Sequence, residues 1–198
     1  MTFDLKNAEA VLENIRARRT VPWTRLKSGP ILPDHLDALL EAANWAPSHK
    51  HTEPWRFVLF RGEGRKKIAD LLAATYKASC SPSEFKPNKY EKSQQRPLAV
   101  PLVMAILMRP STSPVMPEFE EVLAMGCAMQ NLHLAAHSLG IGCSWSTPGY
   151  ADHPNIRNYF ELEPQDRCMG FYYLGYMDGE PPTSKRGLLS AKVTYINA

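Results

Sequence analysis

The stretch from about residue 117 to 139 constrains the fold more than any other. Val122, Leu123, Met125, Cys127, Met129, Leu132 and Leu134 put apolar side chains on every face of the helix it would form. A helix that is apolar all round has to be covered all round. In a chain of 198 residues, that cover must come from the chain's own sheet and, by this reading, from a second subunit as well.

The strands of that sheet are legible as short runs of strand-forming residues. Trp55 to Phe60 is one, Ala99 to Met108 a buried second, Gly142 to Ser146 a short third and Met169 to Tyr176 a fourth. Between them the spacing changes to that of helices. Leu5, Ala8, Val11, Leu12 and Ile15 mark an amphipathic helix near 4–19, ended by Pro22. Leu36, Leu39, Leu40 and Ala43 mark another from Pro33 to Trp45, stopped by Pro47. Gly62 and Gly64 turn the chain into a third, and residues 153–160 form a short one. Residues 79–97 are polar and carry Pro82, Pro87 and Pro97, which predicts a long surface segment, a kind often tied to function. A further proline-rich stretch covers 110–117, and Lys192 to Ile196 has a strand pattern. No repeat or linker interrupts the chain, so one domain over 1–198 is expected, built as one sheet with helices on both faces.

Composition narrows the function. With 44% hydrophobic and 22% charged residues and a net charge of +3, the chain is ordinary globular material. It lacks the basic stripe with interleaved aromatics that nucleic acid requires. Cys80, Cys127, Cys143 and Cys168 have no metal-type spacing, which favours a reduced intracellular chain. The first residues lack the apolar centre of a signal peptide. The longest apolar run, Leu98 to Met108, is broken by Pro101 and is too short to span a bilayer. The expectation is a soluble, cytoplasmic protein.

Several motifs carry chemistry. Arg18-Arg19-Thr20 lies at a helix C-terminus, where cations complement the helix dipole. The same triplet offers guanidinium forks with a hydroxyl beside them, which is what a phosphate requires. His49 and His51 lie in a Pro-bounded loop, Ala46 to Pro54, and could simply pack on Trp55. His133 and His137 are one helical turn apart, but Leu134 stands where a zinc-protease pattern needs Glu. No metal site is expected. Gly62-Glu63-Gly64-Arg65 lacks the third glycine of a dinucleotide fingerprint and reads as a turn. No catalytic dyad or nucleophile elbow stands out.

Taken in order, these motifs resemble the flavin (FMN)-dependent nitroreductase family, in particular its short NAD(P)H nitroreductase subgroup. The matching segments are Arg18-Arg19-Thr20, Ala46-Pro47-Ser48-His49-Lys50 followed by Glu53-Pro54-Trp55, Gly62 to Arg65, Gly126-Cys127-Ala128, Trp145-Ser146-Thr147 and Gly170 to Gly175. They span about 9–175, with a weaker echo at Val193 to Tyr195. The resemblance implies an α+β fold, an α/β/α sandwich around a mostly antiparallel sheet. It implies a homodimer with two flavins at the subunit interface and a C-terminal arm exchanged between subunits. Arg18 would hold the FMN phosphate, with Arg19 and Thr20 on the phosphate or ribityl region. His49 and Glu53, supplied by the partner, would contact the flavin or its ribityl chain. Trp145, Ser146 and Thr147 would line the isoalloxazine, and Arg186 would be a further basic phosphate contact. NAD(P)H would donate hydride, and a nitroaromatic or quinone would accept it in a ping-pong cycle. A reductive dehalogenase with residues 79–97 as a lid, or a flavin-binding sensor or storage protein, are the alternatives. Three positions depart from the family's pattern: Thr20 stands for Ser, Glu53 for Gln, and Ser146 for Arg.

Overall fold

The computed structural model describes residues 5–112 and 117–196. Four strands form one antiparallel sheet: β1 (Trp55–Arg61), β2 (Leu102–Met108), β3 (Ile141–Ser146) and β4 (Arg167–Tyr176). Their order across the sheet is β1-β2-β4-β3. β1 pairs with β2 from Trp55↔Met108 to Arg61↔Leu102, and β3 with β4 from Ile141↔Tyr176 to Ser146↔Phe171. Every residue of β2 is buried. That is why its sequence is a continuous apolar run rather than an alternation: a central strand covered on both faces has no polar side.

Side-chain alternation sorts the core into two layers. Leu102, Met104, Ile106 and Met108 join Tyr172 and Leu174 against α2 (Pro33–Asn44) and α5 (Glu118–Ser138). Val103, Ala105 and Leu107 face the other way, with Phe171 and Tyr173, and pack with Ile68 and Leu72 of α3 (Gly64–Ala78) and Ile156 of α6 (Pro154–Tyr159). This is the expected sheet between helical layers.

One sequence expectation needs correction, and two others are left open within a single chain. The polar segment is not an open loop, because α4 (Pro87–Ala99) occupies most of it. Pro87 sits in the first helical turn, where a missing N–H costs nothing. Pro97 falls in the last turn, and the polar composition reflects a helix with one face on α3 and the rest in solvent. Next, α5 is not covered on all sides. Its inner face is buried, yet Phe119 (69% exposed), Val122, Leu123 and Cys127 face outward. The first helix, α1 (Leu5–Ala17), likewise has no buried residue, and its Leu5, Val11, Leu12 and Ile15 are open. Finally, Lys192 to Ile196 forms no strand with its own chain: a 3-10 turn at Leu189–Lys192 leads into an extended, exposed end. The proline-rich 110–117 stretch lies partly outside the described residues.

Close approach explains Gly142 on β3. A Cβ there would lie 2.5 Å from Leu26 Cδ2 and 2.9 Å from both Val21 Cβ and Met177 Cγ, so the 21–26 segment can cross the strand only over a glycine. Gly142→Ala is expected to lower unfolding stability by about 1–3 kcal/mol, the usual penalty of overpacking. Denaturant unfolding should show a lower midpoint at unchanged slope.

Candidate functional site

Two clusters of candidate site residues form at opposite edges of the sheet. The first borders β3. The chain leaves α1 through Arg18-Arg19-Thr20 and runs along the strand's open edge, where the Val21 N–H donates to the Cys143 carbonyl at 3.0 Å. On the α5 face of β3, Cys143 is buried and Trp145 is 40% exposed. The Trp145 indole is fixed twice over. Its Nε1–H donates to the Met169 carbonyl at 2.9 Å, and its ring packs on Tyr172 with centroids 5.8 Å apart.

The first of those contacts depends on an irregularity of the sheet. The β2–β4 register slips between Ile106 and Leu107, so that Gly170 and Cys168 take the paired places and Met169 is extra. Gly170 has φ +108°, and a Cβ on it would press into the Ser146 carbonyl oxygen and lie 3.0 Å from Trp145 Nε1. Only glycine fits there.

The arginines carry positive charge without an acidic partner. Among the described residues, no ion pair involves Arg18 or Arg19. Arg19 donates from NH1 to the Arg18 carbonyl at 2.7 Å and to the Arg16 carbonyl, so it closes the end of α1 as a helix-capping cation would. Its Nε is nevertheless buried with no hydrogen-bond partner. The effect of Arg18 is visible on its neighbours. Burial pushes the His133 imidazole down to about 4, and the Arg18 charge pushes the same way, against the nearby carbonyls of Cys143 and Arg19. His137 is lowered by burial and then by both arginines. Burial drives the Cys143 thiol far up, so it stays protonated and inert. The edge is thus a partly dry, positive surface next to a flat, half-exposed indole.

The second cluster lies before β1, in the loop from Pro47 to Pro54. Lys50, His51 and Glu53 have φ of 53°, 55° and 46°, the left-handed region that non-glycine residues enter at a cost of about 1–3 kcal/mol each. The first turn of α5 holds the loop in place. His49 Nδ1 bonds Glu120, and Thr52 Oγ1 donates to Glu121 at 2.9 Å. Glu121 is buried and also accepts the Ser111 N–H at 3.2 Å. The side chains of His49 and Glu53 are exposed.

The structure therefore gathers Arg18, Arg19, Thr20 and Trp145 at one edge, with the exposed Thr147 just past the end of β3. His49 and Glu53 stand beside the other edge strand, β1, which lies three strand spacings, about 14 Å, from β3. By alternation Ser146 points to the face opposite Trp145, where its Oγ accepts from Arg96 NH1 at 3.2 Å. Arg186 lies exposed in the C-terminal tail, turned to Ser184 Oγ and the Lys185 carbonyl. Sequence reasoning missed Arg96 and Glu121, and it named Gly170 only within a matching segment, without its role. Long-range contacts define the first two. A slip in register defines the third. Neither kind of contact leaves a local pattern that would reveal these roles. Among the described residues, no group of three or more His, Cys, Asp or Glu could hold a metal ion.

The model of the nitroreductase family matches residues 15–176, most of the chain. The chain belongs to the nitroreductase family. Among curated relatives, YdjA of Escherichia coli K12, provisionally named an NAD(P)H nitroreductase, is 29% identical over 164 residues, covering 83% of this chain and 86% of YdjA. The crystal structure of a nitroreductase-like family protein from Bacillus cereus superposes with a TM-score of 0.79 at 28% identity, covering 100% of this chain and 99% of that one. The Mycobacterium smegmatis nitroreductase NfnB, described as FMN-dependent and solved in complex with NADPH, shares the fold with a TM-score of 0.72 at 20% identity, covering 98% and 100%. As a nitroreductase-family member the chain is a flavin oxidoreductase. No helix among the described residues is long and apolar enough to cross a membrane.

Because native His133 stays neutral down to about pH 4 while an unfolded histidine takes its proton near 6.5, the unfolded state binds more protons between those values. Stability is therefore complete above pH 6.5 and declines as pH falls toward 4, by up to roughly 3 kcal/mol from this residue. Unfolding midpoints at pH 7 and pH 4.5, compared between the parent and His133→Gln, should show a smaller loss in the variant.

Proposed function

We propose that this nitroreductase-family protein is an FMN-dependent enzyme that takes hydride from NAD(P)H and reduces nitroaromatic or quinone-type acceptors. It acts as a homodimer in a ping-pong cycle. The observation that carries the reading is the pair of arginines at the β3 edge, without carboxylate partners, beside the half-exposed Trp145. Guanidinium forks with a buried, unpartnered Nε suit a phosphate, and Thr20 adds an exposed hydroxyl. The FMN dependence of NfnB and the NAD(P)H in the name of YdjA support the same reading.

The fit to FMN is argued residue by residue. Arg18 holds the phosphate, and Arg19 and Thr20 complete its cradle. Trp145, locked by Met169 and Tyr172, offers a flat wall to the isoalloxazine, and Thr147 extends it. Arg186, on the free tail, is a further basic group that can close on the phosphate. Bound FMN supplies the redox chemistry, accepting and passing on hydride. The protein's share is to bind, orient and shield it, which is consistent with an edge built of cations and an indole rather than an acid–base pair.

His49 and Glu53 cannot join this cradle within one chain, because the sheet stands between the two edges. A second copy related by a two-fold axis would bring its own β1-edge loop to this β3 edge. The exposed apolar face of α5 and the open face of α1 are surfaces such a copy would cover, and the extended tail is the arm that would reach across. The same α5 turn that grips the loop would then place His49 and Glu53 at the partner's flavin.

Arg18→Ala is expected to weaken FMN binding about ten- to a hundredfold, the loss of one charge-assisted contact. Fluorescence titration of the flavin-stripped protein measures it. Initial rates of NAD(P)H oxidation at several fixed quinone concentrations should give parallel double-reciprocal lines. Intersecting lines would refute alternate occupancy, and an absence of turnover with flavin bound would favour a sensor or storage role.

A further inference from the structure

His137 stands in the last turn of α5, one turn beyond the buried His133. Asn14 Nδ2 donates to the Leu134 carbonyl at 3.1 Å and so ties the end of α1 to this end of α5. The tie brings His137 to the β3 edge, where the charges of both Arg18 and Arg19 bear on its ring. Its side chain is half-buried and makes no hydrogen bond or ion pair among the described residues. An imidazole of this kind, beside two cations, has no role in holding the fold.

Opposed forces act on that ring. Burial favours the neutral form most, and Arg18 and Arg19 push the same way. The open carbonyls at the end of α5 favour the cation, because a helix C-terminus is the negative end of the dipole. The neighbouring groups add no charge of their own. His133, pushed down to about 4, is neutral, and its Nε2 is buried without a partner. Burial holds the Cys143 thiol and the Tyr172 phenol protonated. No carboxylate acts on either histidine. The balance at His137 is therefore set by two arginines whose charge no acidic side chain among the described residues neutralises.

A phosphate seated on those arginines reverses the local field, and a nearby opposite charge favours the charged form of a base. We propose that His137 is a third basic contact of the flavin phosphate, taking up a proton from solvent as FMN docks, so that the cofactor is held more tightly as pH falls. The inference rests on the proposed phosphate cradle and adds a residue and a proton to it. The free protein titrates His137 at a lower pH than the complex does. Between those two values the complex carries one proton more, so affinity climbs as pH falls through the upper value and levels off below the lower one. The second ionisation of the phosphate itself, at about 6, acts in the opposite sense. Comparison of variants at one pH removes it.

Fluorescence titration of the full-length, flavin-stripped protein with FMN and with riboflavin, at pH 8, 7 and 6.5, tests the proposal. The parent should bind FMN about three- to tenfold more tightly at pH 6.5 than at pH 8, within the limit of about tenfold per pH unit for one proton. Riboflavin, which lacks the phosphate, should show no such rise. His137→Gln should keep the parent's pH 8 affinity for FMN throughout. His137→Lys should show the parent's pH 6.5 affinity throughout, because it restores the charge without the titration. Both variants should melt close to the parent temperature. A pH slope that survives His137→Gln would put the proton on another group and overturn the assignment. A flat parent profile, with FMN still preferred over riboflavin, would overturn it too while leaving the cradle in place. Equal affinity for FMN and riboflavin would refute the cradle, and the inference with it.

Discussion

The structure depends on the burial of the central β2–β4 pair on both faces. Seven consecutive apolar residues in β2, paired with Phe171 to Leu174 of β4, leave no face for solvent. Helical layers must cover both sides, and α5 with α2 does so on one, α3 with α6 on the other. Function is thereby pushed to the rims. An interior this dry has no place for a phosphate or a ribityl chain, so polar recognition collects where strands end and edges open.

The two edges are built differently, and each by a device that ties it to the core. At β3 the device is the extra residue in β4. Met169 turns its carbonyl toward Trp145, and Gly170 leaves the space in which the end of β3 approaches. At β1 it is the acidic first turn of α5. Glu121 is buried and holds both Thr52 and the Ser111 N–H, while Glu120 takes His49. Charged hydrogen bonds of this kind contribute roughly 1.5–3 kcal/mol each. Several of them can sustain a loop with three left-handed non-glycine residues. One helix thus supports the loop with its N-terminal turn while its outer apolar face stays open for a second subunit in the proposed dimer.

Much of this was legible in the sequence. The four strands announce themselves through runs such as Trp55 to Phe60 and Leu102 to Met108, and α2 through Leu36, Leu39 and Ala43. The two-sided core follows from the unbroken apolar character of β2. What stayed hidden has physical causes. α4 reads as a loop because Pro87 looks like a breaker, although it opens the helix, and because only one of its faces is covered. The tail shows a strand pattern but finds no strand partner in its own chain. Arg18 and Trp145 could be named from local motifs, since each sits in a short distinctive segment. Arg96 could not, because its meaning lies in meeting Ser146, fifty residues away. The opposite directions of Trp145 and Ser146 follow from strand alternation, which becomes decisive only once β3 is known to be an edge with different surroundings on its two faces.

The central claim is that the phosphate end of the flavin rests on the arginine pair at the β3 edge. The affinities of flavin-stripped protein for FMN and for riboflavin, which differ only by that phosphate, test it most directly. A tenfold or greater preference for FMN, narrowing as salt screens the arginines, is the expected result. Equal affinity for the two would contradict it.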